Sequence, residues 1–541
     1  MTHSGKSVKD AGRRAFFPVG WIVAAYGAAV VLLSIILPDR LLTPQFHDDS
    51  FFYLKTARNM ARGLGSTFDG INPTNGYHPL WMVALAVLAK LGPAGDFVWL
   101  RILPVLHAAM NGGAFLLCDQ VLQRLRVSRG WRWLAVAALV FALGFSDFGM
   151  ESSLLLLCTW SLVRAFIATT AYPAALRGRS AMLVVLSACV VWSRMDALVL
   201  PVALAGVRVF HDWRGGRAWD AVARRAGLLI VPALGAALMF SLYNQAVYGH
   251  AATVSSALKA HFPGTYLRNG FAAGTSGANA RLLVCVALPL AAIPVLLSRL
   301  ARSSRRGEVA GAGESAEWAG AVLSLLALAG GTVLHMAGII LCASIGPGSW
   351  YFTVGLSLSI AVAAMFGSEA GRSFPRLRRP LWMAVSLALL VAAVLLARRY
   401  AAVERGIPPP MRVAEWLRRQ TSPGDVIYQV DATGIVGYFS HRSVICGDGL
   451  SNGWRYQDAL RNGWMPRYLR EAGVSYFVSH HPPRDGRVEF RVPRWNGRSV
   501  LVAVAGADHA VFRAGPYRVF PAREVALKGV AAADGSGGDD P

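Results

Sequence analysis

Long apolar stretches separated by short polar connections fill the first 400 residues of the chain. An apolar run of about 20 residues can cross a bilayer as a helix, so this pattern predicts an all-α polytopic membrane domain over residues 1–400. Residues 80–91 are apolar but short, and we expect them to form a re-entrant or interfacial piece. We predict about eleven spans, at 16–37, 97–118, 133–146, 152–170, 180–194, 197–210, 226–244, 281–299, 318–342, 350–366 and 381–399.

Basic residues between the apolar runs give this domain an orientation, because Lys and Arg are concentrated on the cytoplasmic side of membrane proteins. Four of them precede the first run, which places the N-terminus in the cytoplasm and makes residues 38–80 the first outer loop. The run 16–37 is too long for the apolar part of a signal peptide, so we expect a retained anchor.

The pattern changes after residue 400. Short runs rich in β-branched and aromatic residues alternate with turn residues and with one helical stretch, which predicts a small extracytoplasmic α/β domain over residues 401–528. The Gly- and Asp-rich residues 529–541 predict a flexible tail. The strand runs are 426–430, 474–478 and 500–504, and the helical stretch is around 411–420.

Composition indicates a membrane protein and narrows its partners. The 541 residues are 54% hydrophobic and only 16% charged, with a mean hydropathy of +0.42, which is too apolar for a soluble protein of this size. The formal net charge of +24 comes from short basic bursts between the apolar runs. We therefore expect a plasma-membrane protein that contacts the lipid bilayer and no nucleic acid. The six cysteines show no spacing typical of a metal site or a disulfide framework.

Two adjacent carboxylates, Asp48 and Asp49, follow the first predicted span directly. Ionisable groups at a membrane boundary are candidates for a functional site. Two neighbouring carboxylates repel, which raises the pKa of one and suits it as a general base while the other orients an acceptor or a metal ion. The alternative is helix N-capping, for which one residue would suffice.

Three basic residues behind the pair, Lys55, Arg58 and Arg62, have the spacing of one helix face. We expect this face to lie on lipid phosphates, or to contact the phosphate of a lipid-linked donor.

Further polar residues fall where predicted spans reach the outer side. Glu151 and Asp147 flank a turn and should face water or a cation, because a carboxylate costs about 2.5–3.5 kcal/mol at the bilayer centre. Arg194 and Asp196 are two positions apart, so they can pair or share a cavity only if the helix breaks at this hairpin tip. An ordinary interfacial turn and a structural ion pair are the alternatives.

The outer loop 250–280 offers an ammonium group at Lys259 and a hydroxyl group at Ser256. These groups suit a phosphate, with Lys as a point charge and Ser as a donor. An ordinary solvated loop is the competing interpretation.

Several motifs together resemble the GT-C superfamily of integral-membrane glycosyltransferases. Asp48-Asp49, followed by Ser-Phe-Phe-Tyr-Leu, matches the carboxylate pair that these enzymes carry in the first outer loop. The resemblance implies a GT-C fold, a sugar donor on a polyprenyl-phosphate carrier, and the role of general base for Asp48. Segments that resemble the branch including actinobacterial terminal arabinofuranosyltransferases are 75–81 (Asn-Gly-Tyr-His-Pro-Leu-Trp), 149–152 (Gly-Met-Glu-Ser), 194–196 (Arg-Met-Asp), 431–440 and 448–450.

We therefore expect an inverting transfer of one sugar from a polyprenyl-phosphate donor to a hydroxyl of a cell-envelope glycan, lipid or protein. Asp48 and Asp49 are the expected catalytic residues, and participation of a divalent cation is left open. A transporter or flippase of a lipid-linked glycan is the alternative class, and it predicts charged residues deep inside several spans and an inverted repeat. Expected acceptor contacts or second carboxylates are Glu151, Tyr77 and His78, and expected contacts to the donor phosphate are Lys259, Arg194 and Ser256.

Overall fold

A computed structural model describes most of the chain: residues 19–92, 95–171, 176–305, 313–344, 346–377, scattered positions between 379 and 394, 407–493 and 499–528. The predicted tail 529–541 lies outside the described residues, and so does much of the eleventh predicted span, 381–399.

Helices occupy the first part of the chain, as the apolar pattern predicts. Each of the first ten predicted spans coincides with a helix, and the short apolar piece 80–91 is helical as well. The helices are α1 (Val19–Ile36), α2 (Asp48–Ala61), α3 (Pro79–Leu91), α4 (Asp96–Arg124), α5 (Arg129–Leu143), α6 (Ser152–Ala171), α7 (Leu176–Ser193), α8 (Val199–Arg214), α9 (Trp219–Tyr248), α10 (Ser276–Arg305), α11 (Glu314–Cys342) and α12 (Thr353–Ser373).

Seven helices in the described part of the chain are long and apolar enough to cross a membrane: α1, α4, α6, α9, α10, α11 and α12. The helices α5 and α8 have only 15 and 16 residues, so the total of about eleven spans stays a prediction. The buried fraction distinguishes central helices from peripheral ones, because a helix that is apolar all round must be covered by other helices or by lipid. The most apolar windows of α6 and α12 are 67% buried inside the protein, whereas that of α1 is 22% buried and leaves its apolar surface for lipid.

Short helical turns complete the connections between these helices. They fall in the first outer loop, at hairpin tips, in the loop before α10 and directly after α12. Their bounds are Asp39–Leu42, Thr43–Gln45, Met195–Leu198, Val254–Lys259, Thr265–Asn269, Gly270–Ala273, Ser349–Phe352 and Pro375–Leu377.

The C-terminal part is a small α/β domain, as predicted. Its five-stranded sheet has the order β2-β1-β3-β7-β6, in which β1, β2 and β3 are parallel and β7 is antiparallel to both neighbours. A second sheet has the order β4-β5-β8. The elements are α13 (Pro409–Gln420), β1 (Val426–Gln429), α14 (Thr433–Ser440), β2 (Ser443–Cys446), α15 (Trp454–Arg461), α16 (Met465–Glu471), β3 (Val474–Ser479), β4 (Arg487–Pro493), β5 (Ser499–Gly506), β6 (Phe512–Ala514), β7 (Tyr517–Pro521) and β8 (Val525–Leu527), with short turns at Ala507–His509 and Ala522–Glu524.

Helix α2 joins the two parts of the molecule. Its Phe51 is fully buried and packs in one apolar core with Trp81 of α3 and with Tyr438 and Phe439 of α14. Ring centroids of Phe51 lie 5.5 Å from Tyr438 and 5.6 Å from Phe439. The carboxyl ends of the parallel strands, where α/β domains usually bind ligands, therefore lie against the first outer loop.

The prediction that the basic face of α2 lies on lipid phosphates is wrong for Lys55 and Arg58. Lys55 is 8% exposed, and its Nζ donates a hydrogen bond to the carbonyl oxygen of Arg442 at 2.6 Å. Arg58 forms an ion pair with Asp96 at 2.9 Å, and its guanidinium lies 4.3 Å from the ring centroid of Tyr438. The C-terminal domain covers this face of the helix, which the local spacing of charges does not reveal.

Candidate active site

A tight turn between α5 and α6 is locked onto the start of α2. Gly149 has a φ of +85°, and a Cβ there would lie 2.6 Å from the Cβ of Ser50, so only glycine fits. Ser50 Oγ donates to the Phe148 carbonyl at 2.7 Å, and Trp81 Nε1 donates to the Gly149 carbonyl at 2.8 Å. This packing brings Glu151 beside the outer loop that carries Asp48.

A buried histidine fixes the same turn from below. His107 of α4 is fully buried, and its Nε2 accepts the backbone N–H of Gly149 at 3.1 Å. The ring proton is therefore on Nδ1, which donates to Ser153 Oγ at 2.8 Å. The neutral imidazole thus holds the turn without adding a charge.

Glu151 is the centre of a buried ionic network. It is 1% exposed, and its Oε1 lies 2.8 Å from Arg194 Nη1. Tyr53 donates its hydroxyl to Glu151 Oε2 at 3.2 Å, and His78 Nε2 lies 3.6 Å from Oε1. Burial lowers the pKa of His78, although Glu151 opposes the shift, and the His78 Nδ1 is buried without a hydrogen-bond partner in the described structure.

Arg194 reaches two carboxylates because the helix breaks there. Helix α7 ends at Ser193, and Arg194 has extended backbone angles, φ −156° and ψ 123°. Its Nε and Nη2 bind the Asp196 carboxylate at 3.0 and 2.7 Å, and its guanidinium lies 4.1 Å from the ring centroid of Tyr351. Every nitrogen of the Arg194 guanidinium is occupied by a carboxylate.

Asp48 is bound by the C-terminal domain. Its Oδ2 accepts the backbone N–H of Gly434 at 2.7 Å and its Oδ1 accepts that of Ile435 at 2.9 Å, so the carboxylate lies at the N-terminus of α14. Helix N-termini attract anions through their free amides and their dipole. Burial raises the pKa of Asp48 to about 7 against these two hydrogen bonds, and Asp49 and Asp448 raise it further.

Asp49 is bound by fewer groups than Asp48. Within the described residues its carboxylate has neither a hydrogen-bond partner nor an ion-pair partner. Its charge acts on Asp448, which follows β2, and on Lys259. Burial raises the pKa of Asp448 to about 6, and one of its oxygens accepts hydrogen bonds from Cys446 Sγ and from the Leu450 N–H.

Lys259 lies at the end of a short helix that the first outer loop holds in place. Asn75 Oδ1 accepts the N–H of Val254 at 3.0 Å. Burial lowers the pKa of Lys259, but the neighbouring Tyr351, Asp49 and Asp448 outweigh it, so the pKa is raised. The ammonium group has no hydrogen-bond or ion-pair partner in the part of the chain that the structure describes.

Two predicted site residues hydrogen-bond to residues outside this group. Ser256 is exposed and its Oγ donates to the Thr253 carbonyl at 2.9 Å. Tyr77 shares a hydrogen bond with Ser66 at 2.8 Å.

The sequence reasoning missed several neighbours of the carboxylate pair. His47 Nε2 lies 2.9 Å from Asp147 Oδ1, and Ser349 donates to the same carboxylate. Asp448 follows a parallel strand at its carboxyl end, a position that usually points to a binding site. Asp448 had two signals, this strand position and its place in the segment 448–450, whereas nothing local to His47 indicated its partner 100 positions away.

Among the described residues, no three or more His, Cys, Asp or Glu side chains are grouped as a metal ion would require.

Comparison with known proteins identifies the fold. No family model matches the chain, and no curated protein matches its sequence. The Archaeoglobus fulgidus oligosaccharyltransferase in its apo form is similar in structure, with a TM-score of 0.53 and 11% identity over 85% of this chain and 69% of that chain. The same enzyme, AglB, in complex with an inhibitory peptide and a dolichol-phosphate gives a TM-score of 0.52 and 10% identity with the same coverage.

A third structure, ArnT from Cupriavidus metallidurans bound to undecaprenyl phosphate, has a TM-score of 0.48 and 13% identity over 93% of this chain and 98% of that chain. The arabinofuranosyltransferase branch is matched by none of these three and stays a prediction. The mostly helical architecture, with seven candidate spans in the described residues, therefore shares its fold with the Archaeoglobus fulgidus oligosaccharyltransferase.

Proposed function

We propose that the protein transfers one sugar from a polyprenyl-phosphate donor to a hydroxyl of a cell-envelope acceptor, with inversion at the anomeric carbon. The observation that carries this proposal is the meeting of the Asp48-Asp49 pair with Asp448 and Lys259 beneath the C-terminal domain. A carboxylate with a pKa near neutrality can take up the proton of an acceptor hydroxyl, and an ammonium group without an ion-pair partner in the described residues can bind the departing phosphate. The lipid-linked donor is suggested by the structural neighbour that was solved with dolichol-phosphate.

Asp48 is the proposed general base. The two amides of α14 hold its carboxylate in one orientation, and each oxygen retains a second lone pair that can accept a proton. In the reaction, the acceptor oxygen forms a bond to the anomeric carbon while the bond from that carbon to the phosphate oxygen breaks. The hydroxyl proton passes to Asp48, and the polyprenyl phosphate leaves with the electron pair.

Lys259 is the proposed contact of the departing phosphate. Its ammonium is unpaired in the described structure, so it can bind the phosphate without first breaking an ion pair. The nitrogen donors of Arg194 are bound by Glu151 and Asp196, so Arg194 is proposed to stabilise the phosphate through its charge and not through a hydrogen bond. A cation placed where charge develops stabilises the transition state in a partly dry site. Ser256, on the exposed side of the same loop, is the proposed outer contact of the phosphate.

The acceptor is proposed to bind between Asp49 and His78. Asp49 has a free carboxylate, and His78 presents a buried Nδ1 that lacks a partner, so both can hydrogen-bond a sugar hydroxyl. Glu151 positions His78 through the network with Arg194, and Tyr77, next to His78 in the chain, is the proposed further contact of the acceptor.

A flippase of a lipid-linked glycan is less well supported. It would need charged groups along the middle of several spans. The buried ion pairs of the described helices lie near helix ends instead, as at Arg194, Asp212 and Asp119.

A deletion strain tests the proposal in the cell. Mass spectrometry of its envelope glycans should show one missing sugar, which returns with the wild-type gene and does not return with Asp48→Asn. Unchanged glycans in the deletion strain would overturn the proposal. Accumulation of unflipped lipid-linked glycan, with purified protein forming no glycosidic bond, would favour the flippase.

A further inference from the structure

The buried side chain of Asn75 joins the first outer loop to the loop that carries Lys259. Asn75 is 1% exposed. Its Oδ1 accepts the backbone N–H of Val254 at 3.0 Å, and its Nδ2 donates to the Ala252 carbonyl at 3.4 Å and to Asn244 Oδ1 at 3.3 Å. Both polar atoms of this amide therefore bind helix α9 or the loop that follows it.

The backbone on either side of Asn75 is restrained. The carbonyl oxygen of Thr74 accepts the hydroxyl of Tyr248 at 3.0 Å. A Cβ at Gly76 would lie 2.2 Å from the carbonyl oxygen of Leu450, so only glycine fits against the C-terminal domain there. The side chain of Asn75 thus extends from a fixed backbone and can hold the loop that it binds.

The segment that Asn75 holds ends in Lys259. Val254–Lys259 is a helix of only six residues. A helix this short is not stable by itself, so its position depends on the contacts at its two ends. At the C-terminal end, the N–H and the hydroxyl of Ser344 donate to the carbonyl oxygens of Lys259 and Leu258 at 2.8 and 2.7 Å. At the N-terminal end, Asn75 supplies the contact with the first outer loop.

The position of the Lys259 ammonium follows the backbone of this short helix. Within the described residues the ammonium has no hydrogen-bond or ion-pair partner that would fix it. Three positions after Asn75, His78 lies beside Glu151, and its backbone N–H donates to the hydroxyl of Tyr53 at 3.1 Å. One stretch of the outer loop therefore holds the group proposed for the acceptor and, through Asn75, the group proposed for the departing phosphate.

We propose that Asn75 is a positioning residue, which sets where the Lys259 ammonium lies relative to Asp48 and His78. This inference rests on the proposed glycosyl transfer, in which Lys259 contacts the departing phosphate. Asn75 touches no substrate and acts through Lys259. Because misplacing a reacting group by roughly 1 Å can cost about 100-fold in rate, loss of Asn75 should resemble loss of the Lys259 charge.

A double-mutant cycle tests this coupling. Asn75→Ala should lower kcat/KM for the polyprenyl-phosphate sugar by roughly 10-fold. In the background of Lys259→Gln the same change should cost less than about twofold, because no ammonium is left to position. The matched control is Asn72→Ala, which removes another buried asparagine of the outer loop, one that is bound to Tyr468 and Asp69. The effect of the control should be equal in both backgrounds.

Hydrogen exchange of the full-length protein in nanodiscs reads the same geometry without activity. Asn75→Ala should accelerate the exchange of residues 252–260, and Asn72→Ala should leave that segment unchanged. If Asn75→Ala does not fold, Asn75→Ser, which shortens the side chain and keeps a polar group, decides in both measurements.

Two results would overturn the proposal. An equal loss of kcat/KM from Asn75→Ala with and without the Lys259 ammonium would show that Asn75 acts independently of Lys259. Unchanged exchange of residues 252–260 would show that Asn75 does not hold the loop. A wild-type protein that forms no glycosidic bond would instead refute the proposed transfer, on which the role of Asn75 rests.

Discussion

The two ends of the helical domain carry buried ion-pair networks of opposite composition. At the outer end, one guanidinium, that of Arg194, holds the two carboxylates of Glu151 and Asp196. At the opposite end, one carboxylate, that of Asp212, holds three guanidiniums. Each network keeps its buried charges by pairing them with charges of the opposite sign, and Arg217, the most exposed of the three guanidiniums, is also 45% exposed to solvent.

The difference teaches what each end can bind. The carboxylates of Asp48 and Asp49 can accept protons and hydrogen bonds from hydroxyl groups, and the ammonium group of Lys259 is available for a phosphate. The guanidiniums around Asp212 neither accept hydrogen bonds nor lose protons, so this network connects helices α6, α8 and α9 without offering an acid or a base. Proton transfer is therefore expected at the end that carries Asp48.

Removing the base should have the largest effect. Asp48→Asn cannot take up the acceptor proton, so transfer by the purified protein should fall by about 10²–10⁴-fold. Asp39→Asn, in the same outer loop but paired with Arg101 on the surface, should retain near-normal transfer. Transfer by Asp48→Asn at the rate of this control would remove Asp48 from the mechanism.

Breaking the outer ionic network should mainly cost stability. Arg194→Gln leaves two carboxylates without their cation, one of them 1% exposed, which typically costs about 3–5 kcal/mol. The thermal unfolding midpoint should fall strongly. The control Arg224→Gln, at a side chain that is 76% exposed, should leave the midpoint unchanged. Adding Glu151→Gln to Arg194→Gln should restore part of the loss, and no recovery would mean that the two residues are not coupled.

Neutralising Lys259 should weaken the binding of the polyprenyl-phosphate donor in the transition state. A hydrogen bond to a charged group contributes about 1.5–3 kcal/mol, so Lys259→Gln should lower kcat/KM for the polyprenyl-phosphate sugar by roughly 10- to 100-fold. Arg268→Gln, an exposed cation in the same outer loop, is the control. Unchanged kinetics at limiting donor would show that the phosphate binds elsewhere.

Separating the two domains should have a smaller effect on stability. A Cβ at Gly434 would lie 2.1 Å from the Asp48 carbonyl oxygen, so Gly434→Ala should loosen the contact of α14 with α2 at a cost of about 1–3 kcal/mol. Hydrogen exchange of α14 should accelerate. Gly424→Ala has open space around it and should leave exchange unchanged.

The pH profile should show the smallest change. With a pKa of about 7, Asp48 is mostly protonated at pH 6 and mostly ionised at pH 8, so transfer should rise roughly tenfold between them. The stability of the docked domains should change with pH in the opposite direction. The pKa of Asp48 is raised from 3.8 to about 7 on folding, so the folded state is destabilised as the pH increases from about 4 to 7. A profile flat across pH 6–8 would argue against Asp48 as the base.

The sequence predicted the helices well because bilayer-spanning runs are local signals. The same applies to the strands Val426–Gln429 and Val474–Ser479, whose β-branched composition is visible in the chain. The helix break that lets Arg194 and Asp196 pair was posed as a condition, and the structure contains it.

The contacts of the outer loop could not be predicted, since they cross the whole chain. Asp48 binds amides 386 and 387 positions later, and Lys55 donates to a carbonyl 387 positions later. A charge on a helix face indicates exposure only if nothing covers that face, and the covering domain is remote in sequence. For this reason the prediction that Lys55 and Arg58 lie on lipid phosphates is wrong.

Product analysis of the purified wild-type protein tests the central claim most directly. Proteoliposomes containing a polyprenyl-phosphate sugar and a hydroxyl acceptor should yield a new glycosidic bond of inverted anomeric configuration, together with an equal amount of free polyprenyl phosphate. A donor that crosses the bilayer intact, with no glycosidic product, would contradict the account.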